Sequence, residues 1–220
     1  MSITLAVGTQ VAIASTYGTA VNMTAITNSA TSSTPAVATL AAGHGVVVGD
    51  FLEITSGWTL LTGRIARVSV VSVNDVTLEN IFTNDTTAYP AGTGTGTIRR
   101  ITAWTTISQI TSGIQISGGD QQFADVTTLQ DRNQRQIPTR RSPVTATFPV
   151  YADETLSWVA TVRAASTTAT ATACRMIYPN NSRTVFNGYW TLGDINTIQD
   201  DTLRNQIVIT FAATATQYST

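Results

Sequence analysis

The side chains able to do chemistry in this chain are few and unevenly spread. Asp120, Asp125 and Asp131 stand close to Arg132, Arg135, Arg140 and Arg141, in and just before the stretch FADVTTLQDRNQRQIPTRRSP (123–143). Guanidinium forks and carboxylates at this density suit multivalent ion pairing with a partner. The only apolar anchors between them are Phe123, Ala124, Val126, Leu129 and Ile137, too few to close a core. The segment is also too long for an ordinary hairpin loop. Holding it in one conformation costs roughly 1–2 kcal/mol per residue in backbone entropy, which a partner has to offset. We therefore expect an arm that orders against neighbouring subunits, with a solvated, mobile hairpin as the alternative.

Elsewhere the constellations of an enzyme are missing. The single histidine, His44, lies between glycines in AGHGV and reads as a turn residue, with no second His to share a metal. No G-x-S-x-G elbow offers a nucleophile for a Ser-His-Asp arrangement. GTGTGT (92–97) runs into IRRI, a strand without the lysine of a phosphate-cradling loop, and reads as a flexible hairpin tip. Asp200 and Asp201 are adjacent in a turn and point different ways, unlike a glycosidase pair. Cys174 is alone, which excludes an internal disulfide, and reads as a small buried apolar side chain. Four tryptophans (58, 104, 158 and 190) suggest either a sugar platform or core packing; their spread over separate elements favours the core. The expectation is a non-enzyme without cofactor or metal.

Composition leaves two readings open, a stable extracellular β protein and a subunit of an assembly. Charged residues make up 11% of the chain, against ~25% in ordinary soluble domains. All 12 basic residues are arginine, and threonine dominates the polar ones. Threonine fits a pleated strand, and such a surface has little charge to desolvate against a partner. A net charge of −1 gives no basis for general nucleic-acid binding. The first basic residue is Arg64, so no secretory signal is expected; no run of ~18 apolar residues suggests a membrane span.

Alternating and β-branched runs predict a mainly β chain in two parts. Residues 1–36 and 103–220 form one β domain. Residues 37–102 hold five short strands in a small inserted barrel-like module, loosely similar to SH3-like and KOW-like barrels. In the second part, SPVTATFPVYA (142–152) alternates as a strand. DETLSWVATVRAAS predicts one helix capped by Asp153, with Leu156, Val159, Ala160 and Val162 on its apolar face and Arg163 in its last turn. Strands follow in CRMIYP, RTVFNGYWTLG and the C-terminal segment.

In this order, DVTTLQDRNQRQIP, SPVTATFPVYA, DETLSWVATVRA, CRMIYPNN, FNGYWTLGDI and NQIVITFAATAT resemble the tail tube (major tail) proteins of long-tailed bacteriophages. The likeness covers roughly residues 100–220 and the N-terminal strands; the 37–102 module departs from the minimal pattern. The resemblance implies a two-sheet β-sandwich or barrel with one flanking helix. It implies six copies in a ring, stacked rings, and a lumen that conducts double-stranded DNA without specific binding. The long loop, with Asp120, Asp125, Thr127, Leu129, Asp131, Arg132, Arg135, Arg140 and Arg141, would contact the next subunit or ring. Asp194, Asp200 and Asp201 are the candidates for an acidic lumen lining. Tape measure, tip and terminator proteins are the implied partners, and assembly in the host cytoplasm into the virion tail is the implied location. The inserted module would face outward. Rival readings are a monomeric glycan- or host-surface-binding β module, and another virion part such as a decoration or baseplate protein.

Overall fold

Threonine and β-branched residues dominate the runs between glycine and Asn/Asp turns, and these runs become antiparallel strands. The computed structural model describes residues 8–111 and 113–219; the start of the expected N-terminal strand region, residues 1–7, lies outside them. In chain order the first strands are β1 (Gln10–Tyr17), β2 (Val21–Ile26), β3 (Val37–Leu40), β4 (Phe51–Ser56), β5 (Ile65–Ser72), β6 (Asp75–Glu79) and β7 (Gly96–Ile107). Then come β8 (Gln115–Ser117), β9 (Gln121–Asp125), β10 (Gln136–Arg141), β11 (Thr145–Tyr151) and the helix α1 (Ser157–Thr168). The chain finishes with β12 (Thr172–Ile177), β13 (Arg183–Leu192), β14 (Thr197–Gln199), β15 (Thr202–Phe211) and β16 (Thr216–Tyr218). The fold is mainly β with a flanking helix, as the sequence predicts.

Strands β2, β3, β6, β5, β4 and β7 pair in that order, and β2 pairs back onto β7. This closes a small barrel and removes its open edges. Its core holds Leu40, Leu52, Ile54, Trp58, Leu78 and Ile98. The sequence reading begins this module at residue 37. In the structure Met23 and Ile26 of β2 already lie in the barrel core, because the free edges of β3 and β7 need one more strand between them. GTGTGT is no flexible tip: a Cβ on Gly94 would sit 2.4 Å from Ile26 and 2.7 Å from Trp58, so this glycine lets the loop pack on the barrel core.

The twelve-residue β7 serves two neighbourhoods. Its first half pairs with β2 and β4, and its second half pairs with β1. From β1 the body sheet continues through β12, β13, β15 and β11 to the short edge strand β8. One face buries Ile13, Phe148, Phe186, Trp190 and Ile207 against α1. The helix starts at Ser157, four residues after the predicted cap. Asp153 instead bonds the N–H and hydroxyl of Thr155 in a turn ahead of the helix, and Leu156 is the N-cap without a side-chain bond. The buried face is Trp158, Val159, Val162 and Ala165, whereas Ala160 is exposed. Arg163 does not face the helix end; it pairs with Glu154 at 2.9 Å.

A third cluster (Ala14, Phe51, Ile65, Ile101, Ala173, Val185 and Tyr218) joins barrel to body. Two tyrosines fasten it. The Tyr17 hydroxyl accepts from the Ala173 N–H at 2.9 Å, and the Tyr218 hydroxyl accepts from the Arg67 N–H at 2.9 Å and donates to Ile65 O. Burial pushes both phenols from 10.0 up to about 12. The folded chain therefore holds these protons more tightly than the unfolded one. That stabilisation is complete below pH 10 and is lost as pH rises toward about 12. The two phenols together are worth on the order of 5 kcal/mol. A denaturant midpoint that falls steeply above pH 10, and less so in Tyr17→Phe, is the expected result; a pH-independent midpoint up to pH 11.5 would refute it.

Candidate assembly interface

The expected arm is a β-hairpin that stands away from both cores. It begins where Gly118 and Gly119 take left-handed backbone angles (φ +82° and +83°) and turn the chain out of the body sheet. A Cβ on Gly118 would lie 2.0 Å from Pro143 O, so glycine is required at this root. Strands β9 and β10 then form a two-stranded sheet of their own, with Gln136 opposite Asp125, Ile137 opposite Ala124 and Pro138 opposite Phe123. Every residue of β10 and all but the first of β9 are exposed.

The polar residues divide into two groups. One group builds the tip. Asp125 accepts from the hydroxyl and N–H of Thr127 and from Gln134 Nε2. Those bonds, the Thr127 hydroxyl first, hold its carboxyl below the usual range. Thr127 Oγ1 also accepts from the Arg135 N–H at 3.0 Å, which ties the two sides together. Asp131 accepts from the N–H and hydroxyl of Thr128. At the root, Asp120 exchanges two bonds with Ser142 through its own main chain. The second group is Arg132, Arg135, Arg140 and Arg141. All four are exposed, and among the described residues none of their guanidinium groups has a hydrogen-bonding or ion-pair partner.

The sequence reading let both signs of charge pair with a neighbour. In the structure Asp125 and Asp131 are engaged in shaping the tip, whereas the Asp120 carboxylate and the four guanidinium groups have no partner among the described residues. Apolar side chains accompany them: Phe123 and Ile137 are more than half exposed, and Leu129 at the tip is exposed completely. Opposed strand residues share a face, so Phe123 with Pro138 lies on one side of the hairpin and Ala124 with Ile137 on the other. A two-stranded hairpin is marginal in water, and this one has no core behind either face.

Asp194, Asp200 and Asp201 fall on a second projecting hairpin. Asp200 and Asp201 are the two central residues between β14 and β15, both with positive φ (50° and 57°), as a type I′ turn requires. Asp200 pairs with Arg204 at 3.1 Å; Asp194 and Asp201 are exposed. Ile198 and Leu203 face each other across this hairpin, and both are exposed along with Ile195. No sequence signal singled out these apolar residues, because alternation alone does not separate a core face from a contact face.

The two hairpins leave the body sheet at opposite ends. Thr145, next to the arm root, pairs with Thr210, while Tyr151, six residues along β11, pairs with Arg204 beside the acidic turn. That spans ~20 Å of strand. The remaining sequence candidates for a site are structural. Trp58, Trp158 and Trp190 are buried, and Trp104 lies under Arg175, so the tryptophans build no sugar platform. His44 closes a turn, accepting the Val46 N–H at Nδ1 and contacting Val73 O through Nε2. Among the described residues no group of three or more His, Cys, Asp or Glu is placed to hold a metal, and no helix is long and apolar enough to cross a membrane.

The mainly β scaffold thus carries two exposed hairpins of opposite character, one rich in arginine and one acidic, at opposite ends of β11. The chain matches the phage tail tube protein (TTP) family over residues 56–220 and belongs to that family. No curated protein sequence matches it. It is thus a structural component of a phage tail, and the match spans much of the barrel as well as the body.

Proposed function

We propose that this tail tube protein polymerises with itself as stacked hexameric rings whose lumen is the conduit for the phage genome. The observation that supports stacking is the pair of hairpins at opposite ends of β11. The arginine-rich arm of one copy meets the acidic β14–β15 hairpin of the next, head to tail, and the exposed apolar pairs on each are covered together. A heterologous contact of this kind repeats along an axis. Asp120, Asp125, Thr127 and Asp131 shape the arm; Leu129, Arg132, Arg135, Arg140 and Arg141 make the contact. Asp194, Asp200 and Asp201 border the channel as well as the next ring, and their charge lets DNA pass without sticking.

The barrel faces outward in this arrangement. We take its limits as β2 through the first half of β7, with β1 and the described residues from 103 onward in the tube wall. Tape measure, tip and terminator proteins are the further partners, and assembly takes place in the host cytoplasm. Electron microscopy of the purified chain at high concentration, with and without tail tips as initiators, tests the reading. Rings or tubes with a central hole are expected. A monodisperse monomer under both conditions would sink it.

A further inference from the structure

We infer that Arg175 and Arg183 form an oxyanion-binding site on the barrel-facing side of the body sheet, filled in the working protein by a carboxylate or phosphate group. Arg175 lies opposite Val185, and Arg183 lies opposite Ile177, so the two arginines are diagonal neighbours on one face of the β12–β13 pair. Both are half-buried. The Arg175 guanidinium is stacked 4.6 Å from the centre of the Trp104 ring, which fixes its plane. Its Nε is buried and has no hydrogen-bonding partner. Among the described residues neither arginine has a carboxylate within ion-pair distance.

Two like charges placed side by side and partly desolvated are unfavourable unless an anion joins them. Burial, and then the neighbouring Arg183 charge, hold Arg175 below the usual arginine range, in keeping with that missing partner. Arg183 and Tyr218, its cross-strand neighbour on the same face, line an open cavity of about 310 Å³ at the end of this strand pair. Two guanidinium forks match a carboxylate or phosphate in shape and charge. This site lies apart from the arm and does not depend on it.

Thermal unfolding of the unassembled chain in sodium phosphate and in sodium chloride of equal ionic strength tests the site. Phosphate at about ten times its Kd should raise the midpoint by ~3–6 °C. Arg183→Gln should abolish the rise, and Arg183→Lys, which keeps the charge without the fork, should retain part of it. Polymerisation in the same buffers separates the two sources. If the natural ligand is an acidic side chain of a second copy, phosphate slows polymerisation; if it is a free oxyanion, phosphate leaves the rate unchanged or raises it. A phosphate series that tracks chloride, or a full shift in Arg183→Gln, overturns the site. Because the thermal measurement uses unassembled protein, its result stands whether or not tubes form.

Discussion

Replacing Arg132 and Arg135 together by alanine is expected to leave the chain folded and to raise the concentration needed for polymerisation by at least ~100-fold. Folding should change by less than ~0.5 kcal/mol, because exposed side chains without partners contribute little to the monomer. Their value comes only when a second copy desolvates them: an arginine central to an interface is worth ~2 kcal/mol or more, and the contact recurs in every subunit. The acidic hairpin supplies the reciprocal variant. Asp200→Asn with Asp201→Asn removes the charge and keeps the turn, since asparagine tolerates the positive φ that both positions need. It should impair polymerisation in the same direction. Combining the four substitutions should cost clearly less than the sum of the two pairs, as for groups that touch each other. Sedimentation of assembled material against protein concentration reads all three. Wild-type polymerisation of the arginine variant would remove the arm's charge from the account, and full additivity would separate the arm from the acidic hairpin.

Glu53→Ala is expected to be the most damaging single change at the junction, costing ~3 kcal/mol. Glu53 is buried in β4; one carboxylate oxygen accepts from Asn187 Nδ2 at 2.8 Å and the other from two nitrogens of Arg99. The residue thus ties the barrel to β13 of the body. Asn187 is itself buried, and its Oδ1 already lacks a partner. Alanine would leave the amide with neither bond, a desolvation cost of ~1–3 kcal/mol, before the cavity is counted. Arg99 would fare better, because it is partly exposed and stacks on Tyr17 at 4.5 Å. For a chain of this size the melting midpoint should fall by ~6–12 °C. Glu53→Gln keeps an acceptor for Asn187 and should cost about half as much. If Glu53→Ala melts with the wild type, the barrel is not held to the body through this residue.

The prominence of Glu53 shows where reading the chain alone stops. A single glutamate in FLEITSG carries no mark of burial, because its partners come from β7 and β13, 46 and 134 residues away in sequence. The same limit explains β2. Its residues 21–26 pattern as a strand, but only closure of the barrel decides that Met23 packs there rather than in the body. It also explains the helix start: Asp153 has the chemistry of an N-cap, yet Thr155 captures its carboxylate in a local turn, and the packing of Trp158 and Val162 sets the register instead.

What the residues determined by themselves was the local and the compositional. β-branched alternation specified antiparallel strands, Val159 and Val162 specified a buried helix face, and the charge-dense 120–141 segment with too few apolar anchors specified an arm without its own core. Those signals act over a few residues, through backbone preference and the cost of ordering, so they survive in one dimension. Tertiary structure alone decided which charges are spent and which are free. Asp125 and Asp131 fold back on the tip, while the four arginines remain outward. Arg175 and Arg183 meet across two strands with no carboxylate beside them, and the acidic turn lies at the far end of the sheet from the arm. Each of these depends on which distant strands become neighbours, and that is fixed by register and closure rather than by the residues next along the chain.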